Sequence, residues 1–204
     1  ASDSPPANNV FGIHLAQPHK EDLIKAAQLV NSSGGDWGYV TLIIQENDRH
    51  REKWQEIFNQ LRELHLIPII RLATKPEDSR WQKPNMVEAG GWASFLNSLN
   101  WVIKNRYVIL FNEPNHGLEW GGQVNPKEYI KIALEYAKKL KEKNPDFFVM
   151  MAALDADAPQ QPPLFWDEYL FLNEIFQTIT VNDFEKYFDG WASHSYPNPD
   201  FSSS

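Results

Sequence analysis

Short runs of apolar residues alternate along the chain with longer segments in which apolar residues recur every three or four positions. The runs are rich in β-branched and aromatic residues and lie at 10–15, 39–44, 67–72, 107–111, 147–152 and 191–194. Runs of this length and composition are typical of β-strands. The pattern therefore predicts six strands with helices between them.

The segments between the runs have the periodicity and the boundary residues of helices. Apolar residues with helical spacing occur at 23–30, 54–64, 92–103 and 130–140. The helix over 130–140 has a clear start, because Asn125 can cap it, Pro126 suits its first turn and Glu128 completes a capping-box pattern. Two further helices are predicted near 165–176 and after Asp183, which is the expected cap of the last one.

Strands that alternate with helices and read as continuous apolar runs predict a parallel sheet covered on both faces. An open doubly wound sheet and a closed barrel both fit this order of elements. The segment after the first strand has no glycine-rich phosphate-binding motif, and successive strands begin roughly 30 to 45 residues apart, as in a barrel. The prediction is an α/β chain, a (β/α)8 TIM barrel truncated to about six βα units, over residues 10–204.

Composition narrows the classes of function. The 204 residues carry a formal net charge of -8, with 27 acidic and 19 basic side chains, which argues against nucleic acid as a partner. No apolar run approaches the roughly 20 residues that cross a bilayer, so no membrane association is expected. The absence of cysteine excludes disulfides and thiolate metal sites, and no motif indicates a cofactor.

Residues 1–9 are small, polar and proline-containing, which is typical of a linker or of the segment left after signal-peptide removal. This start predicts a secreted or extracytoplasmic protein, with the cytoplasm as the alternative.

Polar residues occur where nearly every predicted strand ends. In a (β/α)8 barrel the functional groups lie at the carboxyl ends of the strands, so these residues predict a site at the mouth of the barrel. They are His14, Gln45, Asn47, Arg71, Asn112, Glu113, Asp155, Asp157, His194 and Tyr196.

The segment YVILFNEP, residues 107–114, takes an apolar strand directly into Asn112 and Glu113. A carboxyl group at an apolar rim loses hydration of its anion, which raises its pKa and suits it to donate a proton. The segment resembles the acid/base motif of the clan A retaining glycoside hydrolases, cellulase-like barrels that include families 5 and 39. The resemblance implies that Glu113 is the acid/base and that Asn112 binds a sugar hydroxyl beside the reacting carbon.

Two other segments are similar to the same clan. GWASHSYP, residues 190–197, resembles the His-x-Tyr at the end of the sixth strand, which implies that His194 and Tyr196 line the cleft. Arg71 is similar to the arginine that orients the nucleophile in many members. Each of these residues also has an interpretation without a functional role. Asn-Glu-Pro can form a turn, His194 and Tyr196 can be a half-buried pair, and Arg71 can form a structural ion pair.

Further residues are expected to bind substrate or to form the core. His14 is predicted to bind substrate, and Trp120 and Trp81 to stack on sugar rings, because they lie on the strand-end side. The other tryptophans considered are predicted to be core residues: Trp54, Trp92, Trp101 and Trp191. His14, His116 and His194 lack the spacing of a metal motif, so no metal is expected.

The chain departs from the clan in one respect. A retaining mechanism needs a second carboxylate about 5 to 5.5 Å from the first. In the clan this nucleophile is a glutamate that ends the seventh strand, and no residue of this chain matches it. Asp155, Asp157 and Glu119 could supply a carboxylate in principle, although none occupies the family's position.

Three explanations remain open: an incomplete sequence of a larger enzyme, which we prefer, a fragment completed by another chain, or a degenerate barrel. The predicted function is hydrolysis of O-glycosidic bonds in a polysaccharide or oligosaccharide by retaining double displacement, with the nucleophile outside this chain. The alternative is a catalytically inactive carbohydrate-binding barrel. Uncovered barrel edges predict association of the isolated chain.

Overall fold

The computed structural model describes residues 9–194 of the chain. Six parallel strands form one sheet in the order β1-β2-β3-β6-β7-β8, and a two-stranded antiparallel hairpin, β4-β5, lies outside it. The strands are β1 Gly12–Leu15, β2 Gly38–Gln45, β3 Leu66–Ala73, β4 Pro76–Glu77, β5 Arg80–Trp81, β6 Arg106–Leu110, β7 Phe147–Met151 and β8 Gly190–Trp191. The six predicted strands are confirmed, and the hairpin was not predicted.

Six α-helices connect the strands in the described part of the chain. They are α1 Lys20–Val30, α2 Arg51–Glu63, α3 Ala89–Asn97, α4 Pro126–Lys143, α5 Glu168–Thr178 and α6 Val181–Tyr187. In α4 the Asn125 side chain accepts a hydrogen bond from the Glu128 amide, as predicted, but the Glu128 carboxylate pairs with Lys83 at 2.9 Å. The cap of α6 is Thr180, whose hydroxyl accepts from the Asp183 amide, so the predicted Asp183 cap is wrong.

The two faces of the sheet differ in how well they are covered. Along β2 every second side chain is buried, and these side chains, such as Val40 and Leu42, belong to the same core as the apolar residues of the helices. The side chains between them, such as Thr41 and Ile43, are only half-buried. The half-buried face is the one that a closed barrel would enclose, and we call it the inner face.

Aromatic rings occupy the amino-terminal part of the inner face. The Tyr39 and Tyr107 rings meet edge to face at 6.0 Å between centroids, and Tyr107 lies 5.2 Å from Phe148. Strand register places these residues side by side, since Tyr107 of β6 is opposite Phe148 of β7. The rings fill the amino-terminal end of the inner face, and the polar residues lie towards the other end.

The chain enters the fold before β1. Asn9, which the sequence placed in the linker, is 6% exposed, and its side-chain amide donates to the Val30 carbonyl at 3.2 Å. It is therefore part of the folded domain. The rest of the predicted linker lies outside the described residues.

Candidate active site

The polar residues predicted from the strand ends lie along one edge of the sheet. All six strands of the sheet are parallel, so their carboxyl ends share that edge. His14 and Arg71 lie within β1 and β3, and their side chains line a pocket on the inner face with Asn112 and His194. Four site residues from four strand ends are thus brought together.

Glu113 follows β6 by three residues, and only 12% of its side chain is exposed. Its Oε1 atom lies 2.6 Å from Nδ1 of His194, a residue 81 positions further along the chain. The Glu113 backbone amide donates to the Ala153 carbonyl at 3.1 Å, which ties the end of β6 to the end of β7. These contacts fix a carboxylate at the carboxyl rim, where the sequence predicted it.

The backbone that carries this carboxylate has an unusual conformation. Phe111 has φ 76° and Glu113 has φ 32°, values that residues other than glycine seldom adopt. Such conformations cost about 1 to 3 kcal/mol each and persist where the surrounding structure imposes them. Phe111 is buried, with its ring 5.1 Å from that of Tyr136, so packing holds the strained turn.

Arg71 contacts the other half of the Asn-Glu pair, because its guanidinium donates a hydrogen bond to the side-chain oxygen of Asn112. Because this bond occupies the side-chain oxygen of Asn112, any side-chain hydrogen bond that Asn112 donates comes from its NH2 group. The ring of His14 is nearby, and the pKa of His14 is lowered by partial burial and then by the charges of Arg71 and His194. The neutral form of His14, which can both donate and accept, is thereby favoured.

A second carboxyl group, Glu119, lies beside the pair, and sequence reasoning named it only as a remote candidate. Burial raises the pKa of Glu119 and the charge of Glu113 adds to that effect, whereas Asn112, Arg71 and His116 oppose it. Glu119 lines a pocket with Arg71 and Asn112. A short 3-10 helix, Gly117–Glu119, returns the chain to the site, and no sequence motif marks it.

Two loops of the site are joined by buried polar contacts. The Asn115 side chain, fully buried, donates to the carbonyls of Asp155 and Trp166 and accepts from the Asp155 amide. Asp155 is itself 2% exposed, and its carboxylate lies 2.8 Å from Nε2 of His116. Asp155 therefore holds the segment after β7 against the segment after β6.

The structure corrects the prediction for Trp120. Its indole is 1% exposed and packs edge to face against Phe111 and Tyr129, so it cannot stack on a sugar. Burial of the indole ring in the apolar core stabilises the fold more than a position at the solvent-exposed edge would. Trp81 lines two of the pockets at the strand ends, and the buried Trp54 lines one of them as well. Tyr196 lies outside the described residues.

Residues 9–194 contain no group of three or more His, Cys, Asp or Glu side chains arranged to hold a metal ion. In the same part of the chain no helix combines the length and the apolar character that crossing a membrane requires.

The geometry defines the chain as a parallel half-barrel with a polar, carboxylate-bearing rim, and solved structures share this fold. A monomeric beta-xylosidase from Caulobacter crescentus CB15 superposes with a TM-score of 0.63 at 14% identity, over 94% of this chain and 43% of its own. A beta-mannanase from Streptomyces thermolilacinus gives 0.56 at 13% identity, over 91% and 58%. A Thermomonospora fusca beta-mannanase in complex with mannohexaose gives 0.56 at 10% identity, over 96% and 62%.

The chain thus spans about half the length of these structures, all of them glycoside hydrolases by name. At these identities the likeness establishes the fold. No protein-family model matches the sequence, and no curated protein matches it at a significant level.

Proposed function

We propose that this chain is the larger part of a glycoside hydrolase domain of the clan A retaining type, in which Glu113 is the acid/base. The observation that carries the proposal is the setting of Glu113: a largely buried carboxylate at the carboxyl rim, in contact with His194 at 2.6 Å. Asn112 and Arg71 beside it supply the polar groups that a sugar hydroxyl requires.

The proposed reaction has two steps. In the first, protonated Glu113 gives its proton to the glycosidic oxygen as the bond to the anomeric carbon breaks and the nucleophile bonds to that carbon. In the second, the Glu113 carboxylate takes a proton from water while the water oxygen bonds to the anomeric carbon. The nucleophile leaves that carbon and returns to its original form. His194 is a positioning residue, because it contacts the carboxylate from the segment after β8 and restricts its orientation.

The nucleophile belongs to the part of the protein outside this sequence. The likeness to structures of which this chain spans 43 to 62% supports the interpretation that further strands complete the barrel. Those neighbours act on xylosides or mannans by name, and the substrate proposed here is a polysaccharide or oligosaccharide with O-glycosidic bonds.

The test is Glu113→Gln in the full-length protein, since glutamine keeps the shape and removes the proton. Hydrolysis of unactivated oligosaccharides is expected to fall about 100-fold or more, the usual contribution of a positioned acid. Glycosylation by activated aryl glycosides is expected to fall less, and added azide to restore turnover. The matched control is Glu56→Gln, because Glu56 is an exposed residue of α2 and the variant is expected to retain full activity.

Unchanged hydrolysis of unactivated substrates by Glu113→Gln would show that Glu113 is not the acid/base. Absence of hydrolysis by the wild-type protein across a broad glycoside panel would favour the carbohydrate-binding barrel instead.

A further inference from the structure

Trp81 forms a wall shared by two pockets at the carboxyl edge of the sheet. The first, which we call the inner pocket, is the pocket that Glu119 lines with Arg71 and Asn112, next to the candidate acid/base. It is distinct from the pocket that His14 and His194 line. The outer pocket contains Gln17, Gln45 and Asn47, which follow the ends of β1 and β2 or close β2. The two pockets therefore adjoin across the Trp81 ring.

Backbone hydrogen bonds hold the segment that carries Trp81. In the β4-β5 hairpin Trp81 is opposite Pro76, and the next residue, Gln82, donates its amide to the Lys75 carbonyl at 2.9 Å. The Trp81 carbonyl accepts from the Gly121 amide at 3.0 Å, two residues beyond Glu119. Because the hairpin is bonded to the loop that carries Glu119, the backbone of Trp81 has a fixed position relative to the inner pocket.

The outer pocket has the chemistry of a neutral ligand with many hydroxyl groups. Among residues 9–194 the side-chain amides of Gln17, Gln45 and Asn47 have no hydrogen-bond partner, and each can both donate and accept. The charged residue of this pocket, Asp48, is paired with Lys53 at 2.6 Å. In the described part of the chain no lysine or arginine lines the outer pocket, so these residues offer no counter-charge to a phosphorylated or sulfated ligand.

We propose that the outer pocket is a sugar-binding subsite, in which one sugar ring of the substrate stacks on Trp81 and its hydroxyls bind Gln45 and Asn47. The inference rests on the proposed function for the place of bond cleavage. It assigns the direction of the glycan chain, from Glu113 across the end of β3 to the ends of β2 and β1. The substrate class is accordingly an oligosaccharide long enough to fill both pockets.

The test compares glycan binding by variants of the full-length protein that also carry Glu113→Gln, so that no probe is consumed. The probes are mannohexaose, xylohexaose and cellohexaose with the matching disaccharides, measured by calorimetry. In the Glu113→Gln background at least one hexasaccharide is expected to bind about tenfold or more tightly than its disaccharide. Trp81→Ala is expected to remove most of that gain, since it deletes the aromatic face, and Trp81→Phe to keep most of it.

The control is Trp37→Ala, because Trp37 precedes β2 at the opposite end of the sheet, where it stacks on His65 at 4.4 Å. It is expected to leave the gain unchanged. Asn47→Ala gives a second readout if Trp81→Ala does not fold, because Asn47 is exposed and its loss leaves no described hydrogen bond broken.

The inference is overturned if Trp81→Ala and Asn47→Ala keep the gain, or if no hexasaccharide outbinds its disaccharide. If Glu113→Gln retains hydrolysis, the acid/base proposal fails, and the inference stands if Trp81→Ala alone raises the KM for a hexasaccharide about tenfold while Trp37→Ala does not.

Discussion

Replacing Asn115 with alanine should weaken the contact between the segment that follows β6 and the segment that follows β7. The Asn115 side chain, 0% exposed, makes three hydrogen bonds to backbone groups, two of them to the Asp155 amide and carbonyl and one to the Trp166 carbonyl. Alanine can replace none of them. The Asp155 amide, on a residue 2% exposed, would lose the bond to Asn115 with little access to water, whereas the Asp155 carbonyl would keep a bond from the Ala158 amide at 3.4 Å.

The size of the effect follows from these contacts. Loss of the bond to the buried Asp155 amide costs about 1 to 3 kcal/mol and each of the two bonds to carbonyls about 0.5 to 1.5 kcal/mol, so the three together predict a loss of roughly 2 to 5 kcal/mol. The displaced segment after β7 carries the carboxylate that holds His116, and Asp155 is bridged to His194. Activity is expected to fall together with stability, because the Glu113 contact to His194 depends on the same segment.

Urea unfolding of the full-length protein, followed by tryptophan fluorescence, measures the loss in the free energy of unfolding. Asn59→Ala is the control, because Asn59 is exposed on α2 and its loss is expected to cost no more than about 0.5 kcal/mol. A loss below about 1 kcal/mol for Asn115→Ala, equal to that of the control, would refute the reasoning.

Two further outcomes are expected. Because the pKa of Glu119 is raised in the folded protein, the native state binds more protons than the unfolded state between the two pKa values, and stability falls as pH rises through that window. Glu119→Gln should flatten this fall in unfolding curves taken at pH 4 and pH 7, and an unchanged slope would contradict the assignment. The 204-residue polypeptide alone should self-associate in sedimentation velocity, since β1 and β8 are the edges of the described sheet, and Val10 and Phe11 beside β1 are 82% and 70% exposed. A monodisperse monomer would contradict that expectation.

The sequence predicted the six strands of the sheet because each is a continuous apolar run bounded by turn residues. It did not predict the β4-β5 hairpin, since strands of two residues, Pro76–Glu77 and Arg80–Trp81, are too short to show an alternating pattern. The hairpin is the element that places Trp81. Of the two tryptophans predicted to stack on sugars, Trp120 is buried, whereas Trp81 lines pockets at the strand ends. Helical and strand periodicity does not distinguish them, because the hairpin and the loop that place them are local structures.

Errors for individual tryptophans have a related cause. Trp54, Trp92 and Trp101 are buried as predicted, because each occupies the apolar stripe of a helix or the turn after it. Trp191 was predicted as core but is 37% exposed, since β8 is an edge strand of the described sheet. The polar strand-end residues could be found from sequence because parallel strands align their ends, whereas Glu119 depends on a loop that folds back.

The aromatic rings on the inner face have a consequence for how this protein tolerates change. Tyr39, Tyr107 and Phe148 close the amino-terminal end of the same strands whose other ends carry the polar rim. Substitutions at the closed end are therefore expected to change packing, several residues along each strand from the polar rim. Changes in thermal stability and changes in the chemistry of the rim can therefore be introduced at opposite ends of the same strands, each with little effect on the other.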